Sequence, residues 1–320
     1  MLLFYADHFV LPLPPEHRFP MDKYRRLRER LLASGRFATD DFREPPAASD
    51  AQLARAHDPD YIRRVTAGLL SAAEVRRIGF PWTPEMVERS RRSSGATIEA
   101  ARAALRGHAQ GRGCAANLAG GTHHAHHDFG SGFCVFNDSA VAARAMQAEE
   151  GVGQIAVIDC DVHQGDGTAA ILEHDASIFT FSLHGAKNFP ANKQRSDLDI
   201  ELDDGCNDAA YLAALQRGLD EVFRRTQPEL VLYLAGADPF AGDRLGRLAV
   251  SKAGLHQRDL LVMQRCKAEG VPLSIAMAGG YADEIDDIVD IHVATVLTAA
   301  DLFHRHSRES GNPVAFGGNV

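Results

Sequence analysis

The chain has 320 residues, of which 45% are apolar and 24% are charged, and this composition is typical of a globular protein. The formal net charge of −9 disfavours binding to nucleic-acid phosphates, so we expect no direct nucleic-acid partner, but it permits cationic substrates such as amines. No apolar run reaches the length of about eighteen residues that a membrane span needs, and residues 1–5 lack a basic signal-peptide pattern. Five cysteines without a CxxC pair favour a reducing, cytoplasmic location.

Short apolar runs of strand length alternate with helical patterns along the chain. In order, we predict a helix at 93–105, a strand at 114–118, a helix at 139–148, strands at 155–159 and 178–183, a helix at 208–225, a strand at 230–235, a helix at 255–268 and a strand at 273–278. This alternation favours a parallel sheet covered on both faces. We therefore predict an α/β fold of three layers, with one domain over 1–304 around a central, mainly parallel sheet, and a flexible tail at 305–320.

The first polar cluster, Asp159, Asp161 and His163, starts at the end of the strand predicted at 155–159. Alternate residues share a face of an extended chain, so the three side chains are expected to project together. Two carboxylates and an imidazole are suitable ligands for a divalent metal. The alternative is a polar turn in which an aspartate caps the following helix.

A second cluster follows the strand predicted at 230–235 and offers Asp238 as a further ligand. In parallel sheets, sites form beyond the carboxyl ends of the strands, so Asp238 is expected near the first cluster. Three protein ligands would leave one position open for water or substrate, as in catalytic rather than structural zinc sites. A lone aspartate after a strand is otherwise an ordinary cap or turn residue.

A third cluster contains four histidines within residues 123–127, after the strand predicted at 114–118. An imidazole titrates near neutrality, so a histidine pair suits general acid–base catalysis. Each ring would need an orienting carboxylate, for which Asp159 and Asp166 are candidates. A polar loop, or a surface tract that scavenges metal ions, is the alternative.

A fourth element is Tyr281, which follows the strand predicted at 273–278 on a Gly-Gly turn. Its hydroxyl could donate a hydrogen bond to a developing oxyanion. From the residues alone, a packed aromatic side chain is the more ordinary interpretation of Tyr281.

These segments resemble the signature blocks of histone deacetylases, in the order and at the approximate spacing of that family. The matching stretches are 120–125, 132–138, 159–168, 236–246 and 279–281, and the resemblance extends roughly over residues 1–300. It implies the arginase/deacetylase fold and zinc-dependent hydrolysis of an acyl-amide to a carboxylate and a free amine. Gln164, with the stretches 17–21, 187–190 and 196–199, is similar to the class IV branch and its bacterial relatives.

Carried over position by position, the resemblance implies a role for each residue of the clusters. The zinc ligands would be Asp161, His163 and Asp238, with one ion per chain. His124 matches the general base, and His123 matches the neighbouring histidine that helps to bind the metal-bound water. Asp159 and Asp166 match the carboxylates that are paired with these two histidines. Tyr281 matches the tyrosine that stabilises the oxyanion, and Gly132 and Phe133 match residues that line the acyl-lysine tunnel. A structural potassium ion would bind at Asp159, Asp161, His163, Ser182 and Leu183.

One departure from the family concerns the rim of the site. Class I members place an aspartate on a rim loop that grips the substrate backbone, and the matching region, roughly 76–85, contains none. Tight backbone binding of a histone peptide is therefore not expected, although Glu85 or Asp128 could reach the rim. His126 and His127 match no catalytic position, and we predict that they are rim residues rather than a second metal site.

Two other functions are compatible with the same fold. An arginase-type enzyme with two manganese ions would need a second set of ligands and would give Tyr281 no role. A non-catalytic binder of acylated amines would be expected to lack a ligand, the base or the tyrosine, and all are present. Within hydrolysis, the sequence leaves open acetyl-lysine in proteins, longer acyl-lysines and small acetylated amines such as polyamines. It also leaves open the oligomeric state and the replacement of zinc by iron or cobalt.

Overall fold

A sheet of eight strands runs through the centre of the computed structural model, which describes residues 1–14 and 16–304. The strands are β1 (Leu3–Phe4), β2 (Phe42–Arg43), β3 (Cys114–Asn117), β4 (Ile155–Asp159), β5 (Ile178–Gly185), β6 (Leu198–Leu202), β7 (Leu230–Leu234) and β8 (Leu273–Ala276). Their order across the sheet is β2-β1-β3-β8-β7-β4-β5-β6, and every neighbouring pair is parallel. The predicted α/β class with a parallel sheet is confirmed.

Ten α-helices surround the sheet in the described part of the chain. They are α1 (Asp22–Ala33), α2 (Asp50–Leu53), α3 (Pro59–Ala67), α4 (Ala72–Ile78), α5 (Pro84–His108), α6 (Asp138–Glu150), α7 (Asp166–Leu172), α8 (Asp208–Arg225), α9 (Lys252–Ala268) and α10 (Ile285–Phe303). Strand β4 shows why both faces need cover. Ile155 and Val157 join one apolar core with α5 and α6, whereas Ala156 and Ile158 join another with α8, α9 and α10. A strand that is buried on both faces is a continuous apolar run, and the three predicted layers follow from this burial.

The predicted elements are present, with shifted ends and some omissions. Helix α5 begins at Pro84 rather than at residue 93, and Thr83 Oγ1 accepts a hydrogen bond from Met86 N–H at 3.1 Å at this start. Strands β1 and β2 have two residues each, which is too short for a periodic pattern, and β6 at the sheet edge is only partly buried. The predicted tail at 305–320 lies outside the described residues.

Two negative expectations can be compared with the structure. Within the described ranges, no helix is both long and apolar enough to cross a membrane. All five cysteines lie within these ranges and none is paired in a disulfide.

The carboxyl ends of β3, β8, β7 and β4 lie side by side, because these four strands are neighbours in the middle of the sheet. In the β4–β7 register Asp159 pairs with Leu234, so His163 and Asp238 each follow a paired residue by four positions. Ala276 at the end of β8 also pairs with Leu234. The loops that carry the four polar clusters therefore leave the sheet together, where sites of parallel sheets form.

Ile158→Ala is expected to destabilise the fold by about 2–5 kcal/mol, because Ile158 is fully buried in β4 and its loss leaves a cavity. The matched substitution Ile200→Ala removes the same atoms from edge strand β6, where the side chain is partly exposed. It should therefore lower the free energy of unfolding by less. Urea unfolding of both variants measures the difference. Equal losses of unfolding free energy would contradict the central position of Ile158.

Candidate active site

Asp161, His163 and Asp238 converge where the loops after β4 and β7 meet. The Nδ1 atom of His163 lies 3.0 Å from Asp161 Oδ1 and 3.3 Å from Asp238 Oδ2, and all three side chains are buried. Backbone N–H groups orient the carboxylates, since Val162 donates to Asp238 Oδ1 at 2.9 Å and Gly279 donates to Asp161 Oδ2 at 2.8 Å. One ligand atom from each residue lies within 4.8 Å of the others, which is a spacing that a single metal ion can bridge.

The surroundings of this cluster favour a cation. Asp238 Oδ2 is buried without a hydrogen-bond partner, and a Cβ atom at Gly279 would overlap it, so only glycine leaves this oxygen accessible. Burial alone would lower the pKa of His163, but Asp161 and Asp238 outweigh it and raise the pKa to about 10. Burial and the charge of Asp161 raise the pKa of Asp238 to about 7. The donor set of one imidazole and two carboxylates therefore fits a divalent ion, which would balance this negative charge.

The second feature of the site is a pair of neighbouring imidazoles, each hydrogen-bonded to a different carboxylate. His123 Nδ1 donates to Asp159 Oδ2 at 2.6 Å, and His124 Nδ1 donates to Asp166 Oδ1 at 2.6 Å. The two ring centroids are 4.2 Å apart. These contacts are the ones expected for histidines that need orienting carboxylates, and they leave the Nε2 atom of each ring for chemistry.

The two histidines differ in charge because their surroundings differ. Burial would lower the pKa of His123, but Asp159 and Asp161 outweigh it and raise the pKa to about 9. Burial, together with the positive charge of His123, lowers the pKa of His124 to about 4. A divalent cation beside Asp161 would offset part of the attraction on His123, since it adds positive charge near that ring. His124 is thus the neutral imidazole of the pair, which is the form that accepts a proton.

The turn that carries the histidine pair is held by Asp138, which the sequence motif contains but to which we assigned no role. The Asp138 carboxylate is buried and accepts hydrogen bonds from Gly121 N–H at 3.0 Å and Thr122 N–H at 2.7 Å. Its neighbour Asn137 donates from Nδ2 to the carbonyl of His123 at 3.3 Å. The adjacent Asn-Asp pair at the start of α6 is the sequence signal for this support, but its partners are visible only in the fold.

Tyr281 is 8% exposed and lines a small cavity together with His123, His124, Asp161 and His163. Its ring centroid is 6.5 Å from that of His163, and its backbone N–H donates to Asp243 Oδ2 at 2.6 Å. The Nζ atom of buried Lys23 lies 5.2 Å from the Tyr281 ring centroid and donates to the Gly280 carbonyl at 3.2 Å. Burial, aided by the nearby carboxylates, raises the pKa of the Tyr281 hydroxyl well above its ordinary value, so the phenol stays protonated and can donate.

Gly132 and Phe133 line the cavity. Phe189, to which we assigned no role in the site, lies beside them against His124. The Phe189 ring is edge-on to His124 at 4.8 Å and is 45% exposed. A Cβ atom at Gly132 would lie 2.7 Å from the His124 ring and 3.2 Å from Phe189, so glycine keeps this gap open. The ring centroids of Phe133 and Phe80 are 5.3 Å apart. The cavity itself has a volume of ≈ 40 Å³.

A larger cavity of ≈ 510 Å³ lies elsewhere, beside Cys114 and His304, and none of the site residues lines it. Cys114 begins β3, so this cavity lies at the opposite end of that strand from the histidine turn. The candidate site residues that line a cavity therefore line the smaller one.

The residues expected to bind potassium lie at the end of β4, in the loop after it and in the neighbouring strand β5. Asp159 of β4 pairs with Ser182 of β5, and Leu183 is the residue after Ser182. Asp159 Oδ1 accepts a hydrogen bond from Asp161 N–H at 3.0 Å, and Ser182 Oγ is 2.9 Å from His184 Nδ1. The arrangement brings the named residues together, and the potassium ion itself stays a prediction.

The rim differs from expectation at His126. Its Nε2 atom is 3.0 Å from Asp166 Oδ2 and its side chain is 13% exposed, so it contacts the carboxylate of the histidine pair instead of standing at the rim. His127 is exposed, as a rim residue would be. In the region 76–85, Trp82 points inward and donates from Nε1 to the Val65 carbonyl at 2.7 Å.

Comparison with known proteins identifies the family. A family model described as the histone deacetylase domain matches residues 17–296. The chain belongs to the histone deacetylase family. It is 43% identical over 305 residues to an uncharacterised protein of Picosynechococcus, which covers 95% of this chain and 97% of that protein. It is 33% identical over 288 residues to a histone deacetylase-like amidohydrolase of Pseudomonas aeruginosa, which covers 85% of this chain and 74% of that protein.

The fold comparison agrees with the family model. The crystal structure of a histone deacetylase homologue from Aquifex aeolicus superimposes with a TM-score of 0.78 at 22% identity and covers 95% of this chain and 84% of that chain. At this identity the likeness supports the fold of the histone deacetylase family and not a shared substrate.

In this member of the histone deacetylase family, Asp238→Asn is expected to weaken binding of a divalent metal ion by more than about 100-fold. Loss of a residue that only contacts a metal ligand weakens metal binding by up to about 100-fold. Asp238 offers a ligand atom itself, so its loss should weaken binding more. The matched control is Asp128→Asn, an exposed aspartate close in sequence to the histidine pair. Metal content after dialysis, measured by elemental analysis, checks the result. Equal metal content in both variants would remove Asp238 from the ligand set.

Proposed function

We propose that the protein is a zinc-dependent amidohydrolase that removes an acyl group from a lysine side chain or a related amine. The products are a carboxylate and a free amine. The observation that carries this proposal is the meeting of three elements at one cavity. They are the Asp161–His163–Asp238 cluster, two histidines with separate carboxylates, and the Tyr281 phenol. The amidohydrolase of Pseudomonas aeruginosa, a relative at 33% identity, supports the same reaction class.

Asp161, His163 and Asp238 would hold the ion in this proposal. A bound zinc ion supplies Lewis-acid chemistry at this position, activating water and polarising a carbonyl. The chain contributes a dry, negatively charged setting, because all three ligands are buried and two of them are carboxylates. Three protein ligands leave room for water and the amide, as catalytic sites require.

His124 acts as the general base. Its pKa is lowered, so the ring is neutral near pH 7, and Asp166 holds the Nδ1–H so that Nε2 presents its lone pair. Asp159 and Asp161 raise the pKa of His123, which favours its protonated form, and its ring lies next to that of His124. A protonated imidazole is needed at the end of the reaction, since an amine leaves only after its nitrogen has been protonated. No covalent bond to the enzyme is required.

Tyr281 stabilises the charge that develops on the acyl oxygen. A buried phenol with a raised pKa donates a hydrogen bond without losing its proton, and such a donor is most effective where water is excluded. Its backbone N–H is held by Asp243 Oδ2, which keeps the main chain of this residue in place beside the site.

The walls of the cavity favour an extended aliphatic amine. The Phe189 ring and the space left by Gly132 lie next to His124, and apolar surface with a narrow gap suits a methylene chain that carries an acylated nitrogen. The net charge of −9 also favours amine substrates. Acyl-lysine in proteins and acylated small amines such as polyamines both meet these requirements. A cytoplasmic location and membership of the class IV branch stay predictions.

Two alternatives receive less support. An arginase-type enzyme would use two metal ions, and the described residues contain one group of three or more candidate ligands. A non-catalytic binder would not need a neutral base and a protonated phenol at the same cavity. Turnover therefore separates the proposed hydrolase from a binder.

The direct test is the release of free amine from one lysine peptide carrying acyl groups of different length, alongside acetylated polyamines. Zinc-loaded protein should hydrolyse at least one of these substrates, removal of zinc with a chelator should stop the reaction, and His124→Ala should be nearly inactive. Binding of acyl-lysine without any turnover would favour the non-catalytic alternative. Two manganese ions per chain would favour the arginase type.

Tyr281→Phe is expected to lower kcat by about 10²–10³, because one oxyanion donor is lost while the ring and its packing remain. KM should change little, since the lost hydrogen bond is made mainly in the transition state. Tyr24→Phe is the matched control, because Tyr24 lines the same cavity and loses the same hydroxyl. Steady-state kinetics and zinc content are measured for both variants. An unchanged kcat in Tyr281→Phe would return this residue to a packing role.

A long acetylated peptide is expected to show kcat/KM similar to that of a minimal acetyl-lysine, because the region 76–85 carries no rim aspartate to grip the backbone. The comparison uses the same acyl group in both substrates, so that chemistry at the cavity is constant. A gain of several orders of magnitude for the peptide would show that another group performs this role, with Glu85 and Asp128 as the first residues to replace.

A further inference from the structure

Asp166 is shared between two histidines in the structure. Its Oδ1 accepts the Nδ1–H of His124 at 2.6 Å, and its Oδ2 accepts the Nε2–H of His126 at 3.0 Å. Each oxygen of the carboxylate therefore has its own imidazole donor. The proposed base is one end of a three-residue chain, and His126 is the other end.

The ring of His126 is fixed from two sides. It stacks on Phe129 with centroids 4.4 Å apart and an angle of 15° between the planes. Its backbone N–H donates to the Phe129 carbonyl at 2.8 Å, and its own carbonyl accepts the Nδ1–H of buried His57 at 2.9 Å. A donor held in this way loses little freedom when it binds the carboxylate, so the hydrogen bond to Asp166 is pre-organised.

A second donor matters because of how a carboxylate moves. The torsion that turns the two oxygens of an aspartate is broad, so one hydrogen bond alone leaves the plane of Asp166 free to rotate. The bond from His126 to the other oxygen fixes that plane. His126 also covers Asp166 from solvent, with exposed fractions of 13% and 8% for the two side chains. Both effects hold the His124 ring in one orientation.

We propose that His126 is a positioning residue for His124 and acts through Asp166. The proposal rests on the function proposed above, in which His124 is the general base. His126 itself does not touch the reacting atoms. Its contribution is to keep the lone pair of His124 Nε2 directed at the water, and its loss should reduce kcat rather than substrate binding.

The neighbouring His127 provides the contrast. Its Nδ1 donates to the Ala56 carbonyl at 3.0 Å, and its side chain is exposed and makes no hydrogen bond to Asp166. The two histidines are adjacent and chemically identical, so an effect at His126 alone points to the carboxylate.

Two substitutions separate hydrogen bonding from packing. His126→Phe keeps a ring to stack on Phe129 but has no donor, whereas His126→Gln loses the ring and keeps an N–H donor near the position of Nε2. We expect kcat to fall about 10-fold in His126→Phe, with KM unchanged. Loss of a residue that holds a site residue in place typically reduces activity by about 10–100-fold, and the expected effect is at the lower end of this range. His126→Gln should retain most of the activity, and the control His127→Phe should match the wild type. Unfolding midpoint and zinc content are compared in all four proteins.

The opposite pattern would overturn the proposal. If His126→Phe keeps wild-type kcat, the bond to Asp166 does not position the base. If His126→Gln is as impaired as His126→Phe, restoring an N–H donor does not restore activity, and the bond to Asp166 is not what positions the base. If only His126→Gln is impaired, stacking on Phe129 is what matters and His126 is a structural residue.

A readout that does not need turnover keeps this test separate from that of the proposed function. In protein labelled with ¹⁵N-histidine, the Nδ1–H signal of His124 reports its bond to Asp166. We expect that signal to shift or broaden in His126→Phe and to stay in place in His126→Gln and His127→Phe. An unchanged signal in His126→Phe would overturn the positioning role, even if no acyl-amine is hydrolysed. If the signal responds but the wild type hydrolyses nothing, the positioning role stands and the proposed function fails.

Discussion

The arrangement of the site depends on two buried carboxylates that lie just after the carboxyl ends of neighbouring strands. Asp161 and Asp238 lie on either side of one imidazole nitrogen, and burying two like charges at this distance is unfavourable unless a cation stands between them. The surrounding backbone is arranged to reduce this cost, since Val162 and Gly279 each direct an N–H at one carboxylate oxygen. The loops after β4, β7 and β8 therefore share one electrostatic requirement.

The same negative charge accounts for the difference between the two histidines. His123 lies next to two carboxylates and His124 next to one, with the positive charge of His123 beside it. One ring is stabilised with a proton and the other without, although both are buried and both donate to a carboxylate. The division of labour in the proposed reaction thus arises from position relative to Asp161, and not from any difference in residue type.

The sequence predicts those parts of the site that depend on local order along the chain. Asp161, His163, Asp238 and Tyr281 each follow an apolar strand, and parallel strands bring their carboxyl ends together. Phe189 and the contact between His126 and Asp166 could not be predicted in this way, because they depend on loops that meet over long sequence separations. The fold shows the same limit: β4 and β7 are apolar runs buried on both faces, whereas β1 and β2 have two residues each and are placed only by their neighbours.

The position of β8 in the sheet has a consequence for synthesis of the chain. Among the strands that the structure describes, β8 is the last to be made, yet it lies between β3 and β7 in the middle of the sheet. Until residues 273–276 leave the ribosome, β3 and β7 each have an edge with unpaired N–H and C=O groups, and such edges invite pairing with other chains. A chain that ends before residue 273 would therefore lack a strand in the middle of the sheet, and not merely a strand at its edge. Chaperones that shield nascent chains would be most needed in this interval.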